Sequence, residues 1–79
     1  MAFAANLSRS ALAVLNIFVR LQKRAGDQLS YEEIFQNLGD AKIARYGQKE
    51  LAQKGLTIAL VHHVELTEAG AALMDKLGS

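Results

Sequence analysis

The clearest pattern of apolar and polar positions lies in the second half of the chain. A run with helical spacing ends at Gly55, where a helix end favours a residue that accepts positive φ. Apolar side chains then alternate with their neighbours over residues 56–66, which is the period of a β-strand. Thr67 is a candidate N-cap for a following helix. The pattern predicts a helix, a β-hairpin over residues 56–66 and a C-terminal helix over residues 68–77.

The first half of the chain predicts two helices before that one. The first spans residues 8–24, with Ser8 as its N-cap and Gly26 beyond its end. Apolar residues cover most of its circumference, which indicates more than one packing partner. The second begins at Ser30, and Glu33 stands three residues later as in a capping box. Its predicted buried side is Ile34, Phe35 and Leu38.

A turn containing glycine joins the second helix to the third. Gly39 permits a left-handed backbone, and Asp40 is the candidate N-cap of a helix over residues 41–54. Leu29 is either a short strand residue or the residue of a hydrophobic staple that precedes the N-cap. The elements are then three helices, two strands and a helix. The predicted buried side of the third helix is Ile43, Ala44, Gly47 and Leu51.

Composition makes the chain a single small domain. It has 79 residues, of which 51% are apolar, and it contains no cysteine or proline. Disulfides and thiolate metal sites are therefore excluded as sources of stability. Small domains without such cross-links often bury additional surface by association. We predict one domain over residues 1–79 that forms a homodimer, with residues 1–7 as an N-terminal arm.

The sequence favours neither a membrane protein nor an enzyme. Residues 1–5 are apolar but lack the basic start of a secretory signal, and no apolar stretch reaches the roughly 20 residues of a spanning helix. These features predict a cytoplasmic location. There is no evident pair of nucleophile and base and no glycine-rich phosphate loop. We therefore expect no catalysis and no cofactor.

Charge is segregated along the chain although the net charge is only +1. Residues 1–26 carry four cations and no acid, and residues 27–40 carry four acids and no cation. Residues 41–54 carry four cations and one acid. The segment from Asp40 to Lys54 is therefore the basic helix.

Residues 30–54 have the pattern of a helix-turn-helix, with two helices, a tight turn and positive charge on the second helix. The major groove of DNA admits one helix, whose cationic and amide side chains contact phosphates and base edges. The predicted contacts lie opposite the apolar side of the third helix. They are Lys42, Arg45, Tyr46, Lys49 and Gln53, with Gln48 at the margin.

Three segments resemble the winged helix-turn-helix superfamily of transcription regulators, and most of all its MarR and PadR branches. They are Leu29–Ile34 leading to Leu38-Gly39, Leu51–Leu56 and Leu66–Gly70. The resemblance covers residues 10–77. It implies a recognition helix in the major groove, a wing beside the minor groove and a dimer formed by terminal helices. It places the wing at Val61, His62 and His63, although residues 57–65 contain no Lys or Arg.

Apolar residues of the arm and of the first and last helices are the predicted dimer interface. They are Phe3, Leu7, Leu12, Leu15, Leu73, Met74 and Leu77.

Several aromatic residues and histidines have two interpretations. His62 and His63 are adjacent, so a regular strand would point them to opposite faces and they could not chelate one metal ion. They either contact phosphate at the wing tip or are ordinary surface residues, and no metal is expected. Tyr46 either contacts DNA or packs on the hairpin. Tyr31, next to the cap of the second helix, is predicted to be structural.

The sequence thus predicts a mainly α protein with a small β-hairpin, a winged helix. Its predicted function is sequence-specific binding of double-stranded DNA, as a small dimeric repressor of transcription. The alternative is a protein–protein interaction module or assembly adaptor without DNA binding. The low net charge and the absence of cations in the predicted wing favour that alternative.

Overall fold

The computed structural model describes residues 7–78, and the side chains of residues 7–76. This part of the chain is mainly helical, with four helices and a small antiparallel sheet, which confirms the predicted helices and hairpin. None of the described helices is long and apolar enough to cross a membrane. The elements are α1 (Arg9–Arg20), β1 (Gln28–Ser30), α2 (Tyr31–Leu38), α3 (Ala41–Gln53), β2 (Thr57–Ala59), β3 (His63–Leu66) and α4 (Glu68–Gly78).

The four predicted N-caps lie at the starts of the helices. Ser8, Ser30, Asp40 and Thr67 each accept a hydrogen bond from an amide in the first turn, at distances between 2.9 and 3.2 Å. The Glu33 carboxylate also accepts from the Ser30 amide at 3.2 Å, which completes the capping box. Side-chain oxygens therefore satisfy amides that these helices would otherwise leave unpaired.

The glycines after α2 and α3 have the predicted positive φ. The φ of Gly39 is 67° and that of Gly55 is 73°. At the end of α3, the amide of Leu56 donates to the carbonyl oxygen of Leu51 at 2.9 Å, which is the long hydrogen bond of a Schellman motif. The reversal sends the chain directly into β2.

The predicted end of α1 at residue 24, with Gly26 beyond it, is wrong, because the helix ends at Arg20 and the left-handed residue after it is a glutamine. Gln22 has a left-handed φ of 56°. The amides of Gln22 and Lys23 donate to the carbonyl oxygens of Val19 and Phe18, each at 3.0 Å. These bonds form a Schellman motif with glutamine where glycine is usual. The helix therefore ends at residue 20 instead of residue 24.

The sheet has the strand order β1-β3-β2, with both pairings antiparallel. Leu29 is fully buried in β1, opposite Val64 of the central strand, so it is a strand residue. In β2, Thr57 pairs with Leu66 and faces the core, whereas Ile58 is 46% exposed. The side chains of β2 alternate between the two faces of the sheet, as the sequence predicted. However, Thr57 faces the core and Ile58 lies on the outer face.

The core lies around α1, whose inward residues have no exposed surface. They are Ala11, Val14, Leu15, Ile17 and Phe18. At Gly47, α3 approaches α1 so closely that an added Cβ would lie 2.7 Å from Val14 Cγ2 and closer still to the Ser10 carbonyl oxygen. The close approach of α3 to α1 therefore requires a residue without a side chain at position 47.

The buried side of α3 is rotated slightly from the prediction. Ala44, Gln48 and Leu51 are buried at helical spacing, while Ile43 is 37% exposed. Ile43 is therefore not a core residue, because the buried stripe passes along the neighbouring positions. On α2, Phe35 is likewise 41% exposed instead of buried.

The predicted dimer residues are largely taken up by the core of the chain itself. Leu15 is fully buried, and Leu12 is partly buried on α1. Phe3 and the side chain of Leu77 lie outside the described residues. The buried members are Leu7, Leu15, Leu73 and Met74.

Candidate nucleic-acid interface

One side of α3 carries the predicted contacts as an exposed row. Their spacing of three and four residues keeps them on one side of a helix. Tyr46 is 63% exposed, so most of its surface is open to solvent. The exposed members are Lys42, Arg45, Tyr46, Lys49 and Gln53.

The only acid of α3, Glu50, is engaged at the contact between α3 and the start of α1. The Ser8 amide donates to Glu50 Oε2 at 2.9 Å, and Lys54 Nζ lies 3.9 Å from the same oxygen. Hydrogen bonds from the hydroxyl and the amide of Ser8 hold the pKa of Glu50 below its ordinary value, and the Lys54 charge acts in the same direction. This negative charge is therefore tied to the contact with Ser8.

Gln48 does not belong to the exposed row. It is only 6% exposed, and its Oε1 accepts a hydrogen bond from the Thr57 hydroxyl at 3.1 Å. Its Nε2 is buried without a hydrogen-bond partner among the described residues. The prediction that Gln48 lies at the margin of the helix is wrong, because it lies within the buried stripe. It is therefore not available as a surface contact.

The hairpin tip is apolar and is held against the start of α2. The Tyr31 hydroxyl donates to the Leu60 carbonyl oxygen at 3.1 Å, so Tyr31 has the structural position that was predicted. Val61 is 85% exposed, and His62 and His63 are exposed beside it. Within the part of the chain that the structure describes, no group of three His, Cys, Asp or Glu side chains is placed to hold a metal ion.

A groove lies between α2, α3 and β2, with a volume of about 550 Å³. We call it the α2–α3 groove. Its walls are Tyr31, Ile34, Phe35, Ala44, Arg45, Gln48, Lys49, Ala52, Gln53 and Ala59.

Sequence reasoning missed this groove and the exposure of Phe35. The groove is formed by segments that are separated along the chain, so no local pattern of apolar and polar residues predicts it. One signal was available: Ile34 and Phe35 are adjacent on a helix, about 100° apart around its axis, and a narrow buried stripe favours only one of them. Ile34 is the one that packs in the core.

No protein-family model matches the sequence, and no curated protein is significantly similar to it. Function is therefore inferred from the surface of this chain.

Proposed function

We propose that the protein is a winged helix that binds double-stranded DNA sequence-specifically through α3, as a small dimeric repressor of transcription. The observation that supports this most is the distribution of charge around α3. Three cations, Lys42, Arg45 and Lys49, are exposed together with Tyr46 and Gln53. The single acid of the helix is instead hydrogen-bonded to Ser8. A helix with a cationic exposed side suits the negatively charged major groove.

In this proposal α3 enters the major groove, and α2 braces it against the DNA backbone. Arg45 and Lys42 contact base edges or phosphates, because Arg and Lys are the usual partners of guanine and of phosphate oxygens. Lys49 and Gln53 hold the backbone. The hairpin contributes no Lys or Arg, since residues 57–65 contain neither.

The experiment is a fluorescence anisotropy titration of labelled duplexes, first a random pool and then the sites selected from it. Arg45→Ala combined with Lys49→Ala should weaken binding to a selected site by about tenfold or more, because each base or phosphate contact contributes on the order of 1–3 kcal/mol. Circular dichroism checks that the variant is folded.

The matched control is Arg9→Ala combined with Lys76→Ala, which removes the same charge outside α3. This control should retain nearly the affinity of the unmodified protein. Equal losses in the two double variants would mean that α3 is not the recognition helix, and unchanged binding in the α3 variant would exclude it as well.

The second candidate function is a protein–protein interaction module without DNA binding. It is favoured by the apolar residues that the hairpin exposes. Ile58 is 46% exposed, Leu60 40% and Val61 85%, and the tip has no Lys or Arg beside them. Exposed apolar clusters of this kind commonly mark protein contacts. Failure of the random pool to yield any DNA site would favour this candidate.

A further inference from the structure

The α2–α3 groove has walls that suit an apolar ligand. Small side chains at Ala44, Ala52 and Ala59 leave the space, and Phe35 borders it with 41% of its own surface exposed. The volume of about 550 Å³ falls within the roughly 300–1,000 Å³ of typical ligand sites. Binding in such a groove is favourable when the ligand buries apolar side chains against its walls. The phosphate backbone of DNA has no apolar side chains to bury there.

The polar residues of the groove specify the charge of its occupant. Arg45 and Lys49 stand one helical turn apart on the α3 wall. None of the residues that line the groove is acidic. The occupant that complements these walls is therefore apolar and carries negative charge at one side.

We propose that the α2–α3 groove binds an acidic amphipathic segment of a partner protein. Apolar side chains of that segment fill the groove, and its acids pair with Arg45 and Lys49. This is the helix-in-groove mode of recognition, in which apolar anchors recur at i, i+3 and i+4. The inference does not require DNA binding. However, both ligands would use Arg45 and Lys49, so they exclude each other.

The test begins with selection from a random library of displayed peptides of about twelve residues, enough for three helical turns. The complete chain is the immobilised target. The selected peptides should combine two large apolar residues at helical spacing with an acid nearby. Affinities of the synthetic peptides are then measured by fluorescence anisotropy.

Three variants locate the binding site. Arg45→Glu combined with Lys49→Glu should weaken peptide binding by about tenfold or more, because attraction becomes repulsion. Ala52→Trp, which fills the groove without changing charge, should do the same. Lys42→Glu is the matched control: it reverses a cation of α3 outside the groove and should change peptide affinity by less than about twofold. Circular dichroism checks that each variant is folded.

The inference is overturned if the library yields no binder, if the binders lack acids, or if Ala52→Trp binds them as tightly as the unmodified chain. An equal loss in Lys42→Glu would overturn it as well, because the effect would then be general electrostatics. DNA titrations of the same variants separate the two proposals. Peptide binding without any DNA binding would remove the proposed function and leave the groove assignment standing.

Discussion

Among the described residues, Gln22 is the only residue other than glycine with a positive φ, which is 56°. A left-handed conformation is unfavourable for an L-residue with a Cβ, by about 1–2 kcal/mol. Gln22→Gly should therefore raise the free energy of unfolding, by about 1 kcal/mol once the added flexibility of the unfolded chain is considered. Urea denaturation measures the change. Gln22→Ala keeps the Cβ and should give no such gain in stability. If Gln22→Gly were less stable than the unmodified chain, the left-handed conformation of residue 22 would be contradicted.

Because the pKa of Glu50 is lowered in the folded protein, this residue should make the protein less stable as the pH falls. The carboxylate is stabilised in the folded protein by Ser8 and Lys54, so its folded pKa is lower than its unfolded pKa of about 4.3. Its contribution is complete above the unfolded pKa and is lost as pH falls through the folded pKa. We expect Glu50→Gln to lower the stability at pH 7, and the difference from the unmodified chain to shrink below about pH 4.

The measurement for Glu50→Gln is urea denaturation across that pH range. Asp75→Asn, which also neutralises an exposed acid, is the control and should show a smaller difference at pH 7. If the gap between Glu50→Gln and the unmodified chain stays constant from pH 7 to low pH, the hydrogen bonds from Ser8 do not stabilise the charged form.

At the scale of elements, the contact between α1 and α3 depends on Gly47. A methyl group there would meet Val14 Cγ2 and the Ser10 carbonyl oxygen. Gly47→Ala should lower the free energy of unfolding despite its better helix propensity, because overpacking costs about 1–3 kcal/mol and alanine regains about 1 kcal/mol at most. Thermal denaturation measures the loss. Gln36→Ala, an exposed helical position, should be nearly neutral, and a neutral Gly47→Ala would mean that α1 and α3 pack less closely.

The helix starts could be predicted from the sequence because their causes are local. Ser30 and Glu33 stand three residues apart, and the same two residues form the capping box. The end of α1 could not be predicted in this way, because Gln22 adopts a conformation that its residue type does not favour. The outward position of Ile58 depends on the pairing of Thr57 with Leu66, which joins distant residues. Local chemistry therefore located the elements, and packing decided their limits and facing sides.

At the scale of the whole molecule, the exposed row of α3 was predictable but the α2–α3 groove was not. A helical period alone places Lys42, Arg45 and Lys49 on one side. The groove instead requires α2, α3 and Ala59 of β2 to meet, and that arrangement appears only in three dimensions.

Association is a property of the whole molecule, and we expect a homodimer. The outer surface of α1 is one exposed apolar face, with Leu12 and Val19 only partly buried and Leu21, just beyond the helix, 44% exposed. Sedimentation equilibrium of the unmodified protein should give twice the chain mass of 8.6 kDa. The Leu12→Glu variant should give the mass of a single chain. Ala72→Glu, an exposed change on α4, is the control. A monomer at every concentration would exclude the dimer.

The central claim is that cations of α3 bind DNA phosphates, and the salt dependence of affinity tests it most directly. Three cations per chain neutralise about six phosphates in the proposed dimer, which predicts that log Kobs falls against log salt concentration with a slope of about −5. Lys49→Ala removes one contact from each chain and should reduce the steepness by about 2. A slope near zero, or one that Arg45→Ala combined with Lys49→Ala leaves unchanged, would contradict the claim.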